Sequence, residues 1–214
     1  MNDGSLEEER LKNGGTLPVR RIVEVVSRVL EGLDYLHNAG HVHLDIKPQN
    51  ILLGASGVKI SDYGISKSIR QQIRQSGSRK EGTLAYMSPE QLRGEVCDRR
   101  ADIYAVGMMI YRLRLGRLPF GMENHETWPF EGRRVFPDLG TSLRVIVERA
   151  LSIDPSDRYP SAESFLKVLS LDRIDLENRK HRRDALLRRA AAIGLDLQLT
   201  EDVDEASLAQ FESF

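Results

Sequence analysis

Apolar side chains at Ile22, Val26, Val29, Leu33 and Leu36 recur at steps of three and four, a spacing that gathers them on one face of a helix. The pattern predicts an amphipathic helix from about Pro18 to His37, with Thr16-Leu17-Pro18 supplying a hydroxyl cap and an early proline and Asn38-Ala39-Gly40 closing it. Two short apolar runs follow, one at Asn50 to Leu53 and one at Val58 to Ile60, separated by Gly54-Ala55-Ser56-Gly57. They read as a small hairpin. From Ile65 to Glu81 the chain is rich in Ser, Arg and Gln and offers little to bury, so a surface loop is predicted. Ala101 to Leu115 is apolar nearly all round, which suits a helix enclosed by others. Further helices are predicted over Leu143 to Leu151 and over Ser161 to Leu169, the second capped by Ser161. The fold class is therefore mainly α, an α+β arrangement of a helix bundle with one small hairpin.

Beyond Leu171 the composition changes. Arg173 to Arg189 carries seven Lys/Arg against three acids, whereas Asp196 to Phe214 carries six acids and no base. We read a boundary there, with a domain over 4–172 and a charged, partly helical or disordered tail over 173–214. The basic 173–193 stretch suits a helix that docks on a partner protein, and Arg179 to Arg183 also fits a nuclear-targeting patch.

Over all 214 residues the 31 basic and 32 acidic side chains nearly cancel, which disfavours wholesale binding to nucleic acid or to a membrane surface. Its longest charge-free apolar stretch, Ile103 to Tyr111, falls far short of the roughly 20 residues that span a bilayer. One cysteine, Cys97, cannot form an intramolecular disulfide, and the first residues lack the basic and apolar regions of a secretory signal. The expected compartment is cytoplasmic, with the nucleus as the alternative.

Chemistry concentrates in His41-Val42-His43-Leu44-Asp45-Ile46-Lys47-Pro48-Gln49-Asn50, with Asp62-Tyr63-Gly64 beginning twelve residues after Asn50. Asp45 can accept a proton, Lys47 can neutralise a phosphate, and Asn50 with Asp62 can offer oxygen ligands to a hard divalent cation. Phosphoryl transfer asks for that combination, because its transition state is stabilised mainly by positioning and by charge on the phosphoryl oxygens. His37, His41 and His43 could in principle hold zinc, but no cysteine and no clear third ligand stands at useful spacing.

These residues resemble the eukaryotic protein kinases. His43 to Asn50 is similar to the catalytic loop H-R-D-L-K-P-x-N, and Asp62-Tyr63-Gly64 is similar to D-F-G. Gly82 to Glu90 resembles the segment that ends in A-P-E, Asp102 to Gly107 the buried helix D-I-W-S-x-G, and Asp154 to Tyr159 the D-P-x-x-R stretch. Five such matches fall in the family's order and at its intervals.

The resemblance implies a base at Asp45, a phosphate partner at Lys47, and ATP and Mg2+ held with the help of Lys47, Asn50 and Asp62, the last two being the metal ligands. It adds Thr83 to the catalytic set, since Lys47 and Thr83 are similar to the serine/threonine type. It also implies an ion pair between Glu90 and Arg158, and an Asp102 that holds the catalytic-loop backbone from below.

Two departures stand out. Leu44 replaces the usual Arg, and a leucine cannot pair with a phosphate on the activation loop, while Arg79 stands at the usual phosphosite. Ser76 and Ser78 are the remaining candidates there. Upstream of His43 there is no G-x-G-x-x-G and no strand like V-A-I-K, so the resemblance covers the C-terminal lobe only and the upper lobe is absent from this chain. The expected function is transfer of the ATP γ-phosphoryl group to Ser or Thr of a protein substrate, conditional on an upper lobe. The alternative is a catalytically silent interaction or scaffold module.

Overall fold

A computed structural model describes residues 2–55, 57–62, 85–119, 139, 141–170, 183–184 and 187–188. The chain divides into two compact units, Met1–Leu169 and Ser170–Phe214. In the second unit residues 183–184 and 187–188 are helical, and Arg183 pairs with Asp184 at 3.0 Å. The rest of the stretch expected to dock on a partner, like the loop predicted from Ile65 to Glu81, lies outside the described residues.

The first unit begins with strand β1 (Asn2–Ser5) and helix α1 (Leu6–Lys12). Ser5 caps α1 by accepting the Glu8 amide at 3.2 Å, and Glu7, Glu8 and Glu9 place negative charge on its first turn, where the helix dipole favours it. Helix α2 (Val19–Asn38) then buries Ile22, Val25, Val26, Val29, Leu30 and Leu33 completely. The predicted Thr16 cap is not formed: Pro18 is the N-cap and makes no side-chain bond. Proline serves without one because its fixed φ already suits the entry to a helix.

The predicted hairpin is present as β2 (Ile51–Gly54) and β3 (Gly57–Ile60), paired antiparallel with Ile51 opposite Ile60 and Gly54 opposite Gly57. It is not a free hairpin, however. β1 adds to the other edge of β2, giving a three-stranded sheet in the order β1-β2-β3. Nothing in Asn-Asp-Gly-Ser favours a strand by propensity. The pairing arises because β2 offers a row of unpaired backbone groups beside the point where the chain enters α1.

After the single turn α3 (Pro89–Leu92) comes α4 (Arg100–Leu115), buried on nearly every side as its composition predicts. It packs against α2 on one side and α5 (Thr141–Ala150) on the other. Gly107 permits that second approach: a Cβ there would stand 2.9 Å from Ala150 Cβ and 3.0 Å from Leu151 Cδ2. Gly116 ends α4 in the left-handed conformation at φ 70°, a geometry that costs glycine little. Residues 162–170 form helix α6, opened by a reciprocal pair in which Ser161 Oγ accepts the Ser164 amide and Ser164 Oγ accepts the Ser161 amide, each at 3.1 Å.

Candidate active site

The segment from His41 to Asn50 joins α2 to β2 and holds almost no regular structure until the 3-10 turn Pro48–Asn50. Its shape is imposed by Asp102, which lies fully buried on α4. The Leu44 amide donates to Asp102 Oδ1 at 2.7 Å and the His43 amide to Oδ2 at 2.9 Å. His37, at the end of α2, brings Nε2 to within 2.8 Å of the same Oδ2. Two successive amides turned onto one carboxylate need an unusual backbone, and Leu44 accordingly sits at φ 64°. For a non-glycine residue that left-handed conformation costs about 1–2 kcal/mol, so it persists only where surrounding bonds over-determine it.

His43 fixes the next link. It is 2% exposed, its Nε2 lies 3.0 Å from the Ser61 carbonyl, and the Asp45 amide donates to its Nδ1 at 3.3 Å. A neutral ring protonated at Nε2 satisfies both contacts. Of the three histidines weighed for zinc, His37 thus engages Asp102 through its ring and His43 engages Ser61.

Asp45, Lys47 and Asn50 meet. Lys47 Nζ donates to both carboxylate oxygens of Asp45, at 3.0 and 2.9 Å. Asn50 Nδ2 donates to the Asp45 carbonyl at 2.8 Å and to its Oδ2 at 2.9 Å. The side chains of Asp45 and Lys47 retain 12% and 15% exposure, enough for a small group to reach the carboxylate. Since both Asn50 amide protons face Asp45, the amide oxygen is turned away from it and is free among the described residues to act as a hard oxygen ligand.

Asp62 comes to this place through strand register. Pairing of Ile51 with Ile60 sets Asn50 beside Ser61, whose amide donates to the Asn50 carbonyl at 2.8 Å and whose Oγ donates to it at 3.1 Å. Asp62 follows, exposed and at φ 62°, with its Oδ2 accepting from Ser61 Oγ at 3.3 Å. A separation of twelve residues becomes near adjacency by one hairpin. Thr83, together with Tyr63, Ser76, Ser78 and Arg79, lies outside the described residues.

Below the site, Arg158 is 1% exposed and uses all five of its N–H groups. It meets Glu90 twice, at 2.7 and 2.8 Å, and donates to the carbonyls of Ser152, Arg100 and Ile153 at 2.8, 2.9 and 3.0 Å. Burial alone would raise the Glu90 carboxyl, but the Arg158 hydrogen bonds and charge outweigh it and hold the group below its ordinary value. The pair ties α3 to the turn before α6. Sequence reasoning found Asp102, Glu90 and Arg158 but missed two contributors, His37 and Gln91. For Gln91 a signal was available, since Ser88-Pro89-Glu90-Gln91 spells a capping box, and both of its bonds are formed.

Comparison with known proteins places this geometry in context. The family model for the protein kinase domain matches residues 1–169. The chain is 35% identical over 187 residues to a probable serine/threonine-protein kinase of Streptomyces coelicolor, covering 82% of this chain and 27% of that protein. It is 36% identical over 190 residues to the serine/threonine-protein kinase pkn3 of Myxococcus xanthus, covering 80% of this chain and 34% of that protein. Among solved structures, the PknI kinase domain of Mycobacterium tuberculosis is similar with a TM-score of 0.59 and 26% identity, over 78% of this chain and 60% of that one. The chain spans about a third or less of the length of these two curated relatives.

Proposed function

Since the chain belongs to the protein kinase domain family, we propose that residues 4–172 form the lower lobe of a serine/threonine kinase and support transfer of the ATP γ-phosphoryl group to a Ser or Thr hydroxyl of a protein. The observation that carries this reading is the fixed Asp45 carboxylate, held from two directions by Lys47 and Asn50 while still open to solvent. Asp45 orients the acceptor hydroxyl and receives its proton as the hydroxyl oxygen bonds to phosphorus and ADP departs with the electron pair. Lys47, already within 3.0 Å of Asp45, keeps a positive charge beside the path of the phosphoryl group. The oxygen donors of Asn50 and Asp62 would hold Mg2+, a donor set that fits this hard cation. When bound, the ion neutralises charge on the phosphate oxygens. Thr83 joins the set through its place in the serine/threonine pattern.

The 214 residues contain no glycine-rich loop and no strand lysine of the family's kind, so the reading is conditional on an upper lobe to cover the nucleotide. Residues 173–214 form a charged tail in this reading, with the basic part suited to a partner protein.

The test is phosphorylation of mixed Ser- and Thr-containing peptides by the full natural polypeptide that carries this chain, with ATP and varied Mg2+. We expect phosphoserine or phosphothreonine, and Asp62→Asn should raise the Mg2+ needed for half-maximal transfer by about tenfold or more. Transfer with an unchanged Mg2+ requirement would reject the assigned ligand. Absence of transfer under all conditions would favour the silent interaction module.

A further inference from the structure

The residue just before the proposed base is held in a strained backbone conformation, and only half of what holds it comes from Asp102. Leu44 at φ 64° gives its amide to Asp102 from below. Its carbonyl is taken from the opposite side by Gln91 of α3, whose Nε2 donates to it at 3.0 Å across 47 residues of sequence.

The orientation of the Gln91 amide is dictated by its neighbours. Oε1 accepts from the Ser88 amide at 2.9 Å and from Ser88 Oγ at 3.1 Å, which leaves the NH2 group facing Leu44. The reverse orientation would set donor against donor and acceptor against acceptor. Gln91 therefore closes the N-terminus of α3 and, with the other end of the same amide, grips the segment that carries Asp45. The neighbouring Glu90 is locked to Arg158, so α3 is itself a fixed anchor. A leucine at position 44 brings no charge with which its side chain could form an ion pair. Among the described residues, the bond from Leu44 to α3 runs through its backbone carbonyl to Gln91.

We propose that Gln91 is a positioning residue: its amide bridges Ser88 and the Leu44 carbonyl, and with Asp102 it clamps Leu44 so that Asp45 stands ready without an ionic link from a modified loop. The effect on turnover rests on the phosphotransfer reading above, but the clamp itself does not.

Gln91→Glu separates the two functions of the side chain. The carboxylate still accepts from Ser88 and preserves the cap, but it has no proton for Leu44 and sets negative charge against its carbonyl. Hydrogen exchange of the 214-residue chain reads the clamp directly. We expect the Leu44 amide to exchange at least about tenfold faster in Gln91→Glu, with the α2 amides of Val26, Val29 and Leu30 unchanged, showing that the fold is intact. Gln91→Leu, which loses cap and clamp together, should accelerate Leu44 at least as much. Unchanged exchange at Leu44 in Gln91→Glu, or equal acceleration throughout α2, would overturn the proposal.

In the full natural polypeptide, Gln91→Glu should lower kcat at least about tenfold with little change in the KM for ATP, since a small displacement of a reacting group costs rate more than binding. A kcat within twofold of wild type would remove the positioning role. Faster Leu44 exchange in a protein that shows no transfer with or without the substitution would sustain the clamp and reject the phosphotransfer reading.

Discussion

Replacing Asp102 by asparagine changes one atom type at the centre of the site and leaves the shape of the side chain alone. The carboxylate accepts three N–H groups, from His43, Leu44 and His37, with no exposure to water. Asparagine can keep at most the two that share Oδ2, as neutral bonds, and must then point an NH2 group at the Leu44 amide. Hydrogen bonds to a charged acceptor contribute about 1.5–3 kcal/mol each and neutral ones about half that. The direct loss at Leu44 and the weakening of the other two together come to about 3 kcal/mol, after allowance for their not being additive. The left-handed Leu44 then loses the half of its restraint that Asp102 supplies, and its strain of about 1–2 kcal/mol favours relaxation toward ordinary backbone.

Urea unfolding of the purified chain measures the first effect, and amide exchange at His43 and Leu44 the second. We expect the midpoint to fall by an amount equivalent to about 3 kcal/mol with an unchanged m-value, and exchange at both amides to rise with the α2 amides retaining their order of protection. A loss below about 1 kcal/mol would refute the claim that Asp102 shapes the loop, since that is the size of one ordinary neutral bond.

Arg158→Met should destabilise the chain by about 3–5 kcal/mol in the same unfolding assay, because it leaves Glu90 buried and uncompensated, and adding Glu90→Leu should restore part of the loss. A double variant as unstable as the single one would contradict that mechanism. Because the Glu90 carboxyl lies below its ordinary value of 4.5 when folded, its contribution is complete above that value and is lost as pH falls through the lower folded one. Unfolding free energy measured from pH 6 to pH 3 should therefore fall less steeply in Glu90→Gln than in wild type; equal slopes would show that Glu90 does not report on acid stability. Gly107→Ala should cost about 1–3 kcal/mol by forcing α4 away from Ala150 and Leu151, read as a lower melting temperature.

Much of this arrangement can be read from residues alone, for reasons that differ element by element. α2 and α4 are legible because burial imposes its period on the sequence: one face in α2, nearly all faces in α4. Asp45, Lys47, Asn50 and Asp62 stand out because so polar a group beside two short apolar runs serves no packing need. β1 is invisible because its pairing comes from the open edge of β2 and not from its own side chains. The Thr16 cap misled because a hydroxyl near a helix start is a local signal, and Pro18 already supplied the geometry. His37 was hidden because its partner lies 65 residues away on another helix, a contact that no spacing rule encodes. Gln91 was half visible: its capping box is written in the sequence, but its grip on Leu44 exists only once α3 and the loop are side by side.

Phosphotransfer by wild type and Asp45→Asn, compared in the full natural polypeptide with ATP and Mg2+, bears on the account most directly. Asparagine preserves the size of the side chain and removes its ability to take the hydroxyl proton, so transfer should drop by about 10²–10⁴-fold while nucleotide binding is retained. Equal transfer by the two proteins would show that Asp45 is not the base and that the convergence of Lys47 and Asn50 upon it serves the fold alone.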